Sequence, residues 1–270
     1  MKQIFNIAKG KIENVQQVLL LKFGTNHGCF AICNKSGDEL YRLAYCKTEE
    51  WDSNNLSEFA TAFPELNNTF YSVQVSYDFP ESTLAPLKDY RQEEYGSLLK
   101  ALYGINGTSA IVTETIPEWQ LYNVYAVPVE LRQWISQHFP IASYRHQCSL
   151  TARQINRENS NGTLLVDFRT DDFTVTAARQ DILLLSQYYP YSTPGDVVYY
   201  LLKICHQFSL PQQEVQLQLS GLIEKQSALY KELYQYFIKI DFRDASWNIP
   251  DSEYPNHFFT SVNDLAQCVS

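Results

Sequence analysis

The chain has 270 residues, enough for one large domain or two of about 100–150 residues each. Its hydrophobic content of 45%, with 19 Tyr and 15 Phe, is ample for packed cores, and with only 19% charged residues much of the surface must be Gln, Asn, Ser, Thr and Tyr. The formal net charge of -9 argues against a nucleic-acid partner, which needs a basic patch to release counterions, and no apolar run approaches the roughly 20 residues of a membrane helix.

The start, MKQIFNIAKGKIENVQQ, shows no apolar segment of an export signal, so a cytoplasmic setting is expected. In that setting the sequons at Asn67, Asn106 and Asn161 read as coincidence. The six cysteines (Cys29, Cys33, Cys46, Cys148, Cys205, Cys268) read as free thiols, several of them in apolar stretches. Residues 15–24 form an apolar run ending in Gly24, followed by Thr-Asn-His-Gly, which predicts a strand and a turn. Residues 28–35 and 39–48 predict two more strands around Ser36-Gly37-Asp38. Leu56, Phe59, Ala60 and Phe63 recur at helical spacing. Residues 70–77 alternate as a strand, and the Pro-containing stretch 79–90 reads as loop or short helix. Tyr95, Leu98, Leu99 and Leu102 mark a helix, 108–115 and 119–126 two strands, and Leu131, Trp134, Ile135 and His138 another helix. Residues 140–148 read as a strand. The polar segment 149–162 reads as the link between two halves.

In the second half, strands are predicted at 163–169, 172–179 and 181–188. Thr193-Pro194-Gly195-Asp196 is a helix start, with Thr193 as cap, Pro194 at the first helical position and Asp196 favouring the N-terminal dipole. The helix, to about Phe208, is apolar nearly all round and should be buried on several sides. Val215, Leu217 and Leu219 alternate as a strand ending at Ser220-Gly221. Ser227 caps a helix bearing Leu229, Leu233 and Phe237, residues 238–242 form a short strand, and 257–269 read as a short strand followed by a helix.

One segment occurs twice. Leu19-Leu20-Leu21-Lys22-Phe23-Gly24-Thr25 lines up with Leu164-Leu165-Val166-Asp167-Phe168-Arg169-Thr170. After a small length change Phe30 meets Phe173, Ile32 meets Val175, Asp38 meets Asp181 and Leu40 meets Leu183. A duplicated three-strand meander predicts two similar half-molecules. Three antiparallel strands, helix, strand, helix, strand is the ribonuclease-H-like order of a mixed α/β sheet.

Two such halves in tandem resemble the actin-like ATPase fold of actin, Hsp70, sugar kinases, FtsA and PilM. More closely, LLLKFGTNHGCFAI, LLVDFRTDDFTV, YYPYSTPGDVVYYLLKI, VQLQLSG and NHFFTSVNDLAQC resemble a Bacteroidetes domain-of-unknown-function family with that fold. The resemblance implies a first ribonuclease-H-like domain at 1–150 and a second at 151–270, with the last helix packing back on the first. It carries no established activity.

It also implies where nucleotide would sit. Each phosphate-binding hairpin needs an acid ending its first strand to organise hydrated magnesium, then a Gly for close backbone approach, then a hydroxyl. The first hairpin has Lys22 where the acid belongs, with Gly24 and Thr25 intact. The second keeps Asp167 and Thr170 but carries Arg169 where the Gly belongs. The adenosine-side turn offers Ser220-Gly221 in place of two glycines. Two readings follow. Lys22 and Asp167 pair across the cleft in a closed pseudo-enzyme, or Lys22 and Arg169 replace magnesium charge in an altered ATP site. No residue is assignable as the water-positioning base of ATP hydrolysis.

Other constellations are weaker. Asp167, Asp171, Asp172, Asp241 and Asp244 could form a two-metal nuclease cluster, but Asp171-Asp172 suits a hairpin turn. Cys29 and Cys33 share a strand face about 13 Å apart, too far to chelate one ion, and His27 with Cys29 or His146 with Cys148 lack a second half. Tyr188, Tyr189, Tyr191, Tyr199, Tyr200, Tyr230, Tyr234 and Tyr236 either cover core edges or line a groove for a partner segment or for dimerisation. The expected function is a non-catalytic scaffold or adaptor that binds a protein partner or itself, with no cofactor. The alternative is a nucleotide switch that binds ATP with magnesium.

Overall fold

The computed structural model describes residues 1–8, 16–88, 90–105, 107–247 and 253–268. The chain divides into two compact units. One is Met1–Leu150 with Trp247–Pro250 and Val262–Ser270; the other is Thr151–Ser246 with Asp251–Ser261.

The first unit opens with β1 (Lys2–Ala8), which the sequence reading did not anticipate. Its meander follows as β2 (Gln17–Gly24), β3 (His27–Asn34) and β4 (Leu40–Lys47), then α1 (Ser53–Ala62) and β5 (Ser72–Asp78). An insertion comes next: β6 (Ser82–Pro86), α2 (Gln92–Tyr103), β7 (Ser109–Ile116) and β8 (Leu121–Pro128). The unit continues with α3 (Val129–His138), β9 (Ser143–His146) and α4 (Gln147–Gln154), which runs across the unit boundary. The main sheet has the order β1-β4-β3-β2-β5-β9, and the insertion forms its own three-stranded sheet, β6-β8-β7.

β2 lies between antiparallel β3 and parallel β5, which explains why nearly every one of its residues is buried. The core places Leu19, Leu21, Phe23, Phe30 and Ile32 of the sheet against Phe59 of α1 and Leu131 and Ile135 of α3. Phe23 meets Trp51 edge-to-face at 4.9 Å. Asp52 caps α1 by accepting from the Asn55 amide.

The second unit carries β10 (Thr163–Phe168), β11 (Asp172–Arg179), β12 (Ile182–Pro190), α5 (Pro194–Gln207), β13 (Gln216–Gly221), α6 (Ala228–Tyr236) and β14 (Ile240–Phe242). Its sheet order, β12-β11-β10-β13-β14, is the order of β4-β3-β2-β5-β9 in the first unit. Thr193 and Asp196 form a reciprocal capping box at the start of α5. α5 packs Val197, Leu201 and Ile204 against Val166, Phe173 and Val175 of the sheet.

Four local expectations need correction. Residues 79–90 contain a strand, β6, because Pro86 ends it and its partner β8 comes from 35 or more residues later, beyond local pattern. The stretch 140–148 is a strand only over Ser143–His146 and turns helical at Gln147, so 149–162 is not all linker: its first residues complete α4. Residues at 257 onward begin not as a strand but as a 3-10 turn, Asn256–Phe259, entered from Pro255 and leading into α7 (Thr260–Ala266). His257 fixes that turn by donating from Nε2 to the Ile223 carbonyl at 2.7 Å, which requires the proton on Nε2. The sequon Asn106 and residue 269 lie outside the described residues. No described helix is long and apolar enough to cross a membrane.

Candidate functional site

The first hairpin is built from the end of β2, the turn Thr25-Asn26 and the start of β3. Parallel pairing sets Gly24 beside Asp78, the last residue of β5. Lys22 Nζ lies 2.9 Å from Asp78 Oδ2, with both side chains at most 3% exposed. His27 Nε2 lies 3.1 Å from the same oxygen. A carboxylate only accepts, so His27 carries a proton on Nε2. Gly24 has a local reason too: a Cβ there would stand 2.0 Å from His27 Cε1. The Gly24 carbonyl accepts from Trp51 Nε1 at 2.7 Å. Thr25 is exposed at the tip.

The second hairpin is built from β10, the turn at Thr170-Asp171 and β11. Arg169 is 3% exposed. Its Nε donates to Asp172 and its Nη2 to Thr174 Oγ1 at 2.8 Å, while Nη1 lies 3.8 Å from Asp167 Oδ2. The guanidinium also stacks over Tyr188, 4.8 Å from the ring centroid. Asp167, on β10, accepts from Ser220 Oγ at 2.7 Å. Ser220 and Gly221 end β13, opposite Asp167 and Phe168. Gly221 has φ +78°, and a Cβ there would stand 2.1 Å from the Phe168 carbonyl oxygen. Thr170 is exposed.

The structure therefore gathers Lys22 and Gly24 with Asp78 and His27, and separately Asp167, Arg169, Ser220 and Gly221 with Asp172 and Thr174. Asp78 was missed in the sequence, and His27 was weighed there only as a metal ligand with Cys29. The signal was faint but present: Asp78 directly follows an alternating strand, and His27 sits in the turn Thr-Asn-His-Gly.

His146 is fully buried, and burial pulls its pKa down to about 4 against weaker opposing effects of Asp78 and the Phe79 carbonyl. Its Nδ1 accepts from the Cys148 amide at 3.2 Å and its Nε2 donates to the Phe79 carbonyl at 3.1 Å. Both ring nitrogens are thus engaged by backbone. Burial also raises the thiols of Cys33 and Cys46 to about 12 and of Cys205 to about 11, far from thiolate chemistry at neutral pH. Of the other candidate carboxylates, Asp241 accepts from Gln216 at 2.7 Å and Asp244 faces His257 at 3.6 Å. Among the described residues no three His, Cys, Asp or Glu side chains converge as a metal site. Tyr189, Tyr191, Tyr200 and Tyr230 pack against the second core, whereas Tyr199, Tyr234 and Tyr236 are exposed.

Residues 9–240 match the family model described as "Protein of unknown function (DUF3822)". The chain belongs to this family. Among solved structures it is similar to a Bacteroides thetaiotaomicron protein with an actin-like ATPase fold and unknown function, at 17% identity and a TM-score of 0.76, covering 96% of this chain and 100% of that one. It is also similar to the PilM-PilN type IV pilus biogenesis complex, at 12% identity and a TM-score of 0.58, covering 93% of this chain and 98% of that one. No curated protein matches the chain. The fold is that of the actin-like ATPases.

Proposed function

We propose that this chain is a non-catalytic scaffold or adaptor that acts through protein contacts. The observation that carries the reading is the use each unit makes of its own hairpin. Every feature retained from a nucleotide site, apart from the exposed Thr25 and Thr170, has a structural reason within its unit. Gly24 makes room for the His27 ring, Asp167 receives Ser220 and faces Arg169, and Gly221 lets β13 approach Phe168. At the position of a magnesium-organising acid stands Lys22, committed to Asp78. At the position of a phosphate-approaching glycine stands Arg169, committed to Asp172 and Thr174. An ammonium and a guanidinium already compensated by carboxylates of their own units have little charge left to offer a phosphate.

The PilM relative is found in a complex with PilN. That supports protein contact as the mode of action by analogy of fold alone. The exposed rings of Tyr199, Tyr234 and Tyr236 offer amphipathic surface suited to such contact.

The rival reading, a nucleotide switch, draws on Asp167 and on the hydroxyls of Thr25 and Thr170 at the hairpin tips. Thermal unfolding with and without excess Mg-ATP separates the two. A ligand present at about 1,000 times its dissociation constant stabilises the folded state by about 4 kcal/mol. The scaffold reading expects an unchanged melting temperature; a rise of several degrees would favour the switch.

A further inference from the structure

The two units manage the outer edge of their meanders differently. In the first unit, β1 pairs antiparallel with β4 and covers it. In the second unit the corresponding strand, β12, is the edge of its sheet. As an edge strand it directs alternate backbone N–H and C=O groups away from β11, as a template for another strand.

β12 has none of the charged side chains that commonly protect an edge. It is nine residues long, the longest strand described, and reads ILLLSQYYP with no charged residue. The nearest charges in sequence are Asp181, paired with Arg157 at 2.9 Å, and Asp196, bound into the cap of α5. Other edge strands are shorter or polar: β14 has three residues, β9 four, and β7 carries Glu114. Beyond Pro190 at its end, the one irregularity in β12 is a bulge at Leu184, where the register with β11 shifts. Ile182 is 58% exposed.

We propose that β12 pairs antiparallel with β12 of a second copy, joining two five-stranded sheets across a two-fold axis. One feature selects a second copy as occupant. The strand is self-complementary: antiparallel order sets its aliphatic half, Ile182–Leu185, against the aromatic pair Tyr188 and Tyr189 of the partner strand, and such cross-strand pairs are favourable. Residues 182–190 carry no charge, so pairing at this edge brings no like charges together despite the net charge of -9. The first unit shows that this position of the fold accepts an antiparallel strand, since β1 occupies it there. This interface is independent of whether nucleotide binds.

Sedimentation equilibrium of the full chain from about 1 to about 100 µM tests the proposal, in a range that resolves micromolar dissociation constants. Hydrogen exchange is followed over the same concentrations. The expected result is a monomer–dimer equilibrium in which amides of residues 182–187 gain protection as dimer forms. Gln187→Lys, which brings two ammonium groups together across the axis, should weaken the dimer at least tenfold, while Gln235→Lys on exposed α6 leaves it unchanged. A monomer at every concentration overturns the proposal and leaves the edge to a strand of a different protein. So does a dimer that both variants affect alike, or one whose β12 amides exchange at the same rate at all concentrations. Should Gln187→Lys fail to fold, exchange in the unaltered protein decides.

Discussion

Lys22 and Asp78 form a buried ion pair, Nζ to Oδ2 2.9 Å, at the hairpin where an actin-like ATPase would organise magnesium. The pair couples β2 to β5. Lys22→Met should therefore destabilise the protein by about 3–5 kcal/mol, the usual cost of leaving a buried charge unmatched. Adding Asp78→Asn should recover part of that loss. Urea unfolding of the two single variants and the double variant checks the coupling; strict additivity would count against the pair.

Gly24 leaves room for the His27 ring. Gly24→Ala should cost about 1–3 kcal/mol, since a Cβ 2.0 Å from His27 Cε1 forces the ring away from Asp78. The double variant Gly24→Ala/His27→Ala should lose less than the sum of its parts, because the clash is gone. Equal penalties with and without the His27 ring would show that Gly24 serves another purpose.

Arg169→Gly places a glycine where the resemblance to actin-like ATPases expects one. It removes the guanidinium that holds Asp172 and Thr174 and faces Asp167, so we expect a loss of about 3 kcal/mol in denaturant unfolding. The same variant should gain no measurable Mg-ATP binding, since Lys22 still stands on the other hairpin. Tight nucleotide binding by Arg169→Gly would show that one residue alone closes the site.

His146 gives the fold a defined acid sensitivity. Its pKa falls from the ordinary 6.5 to about 4 in the folded state, chiefly through burial. Between these values the unfolded chain binds the proton and the folded chain does not. This contribution is complete above about pH 6.5, is lost as pH falls toward 4, and amounts to something on the order of 3 kcal/mol. His146→Gln should flatten the pH dependence of stability across that window, whatever it does to stability at pH 7. An unchanged slope would mean that His146 is protonated in the native state.

Much of the fold was legible from strand periodicity. The paired runs at Leu19 and Leu164 located both meanders because central strands buried on both faces read as continuous apolar segments. Thr193 and Asp196 announced α5 through capping chemistry, which is local. β1 was not legible, since KQIFNIA is half exposed and depends on β4 for its pairing. β6 was hidden by Pro80 and Pro86, which punctuate a five-residue strand whose partner is remote. Lys22 and Arg169 stood out as departures from the hairpin pattern, and Gly24, Asp167 and Gly221 as positions that keep it. Their partners did not. Asp78 becomes the counter-ion of Lys22 only once β5 lies parallel to β2, and no local feature of the sequence sets that register.

On the reading proposed above, the hairpin charges serve the fold instead of a nucleotide. Calorimetric titration of the full chain with Mg-ATP, and with ATP plus EDTA, decides this. We expect no saturable heat in either titration at protein concentrations suited to micromolar affinity. Saturable Mg-ATP binding that is lost in Asp167→Ala would contradict it and make the protein a nucleotide switch. Binding in EDTA that is lost in Lys22→Ala would contradict it equally, by showing that the Lys22 ammonium is available to phosphate.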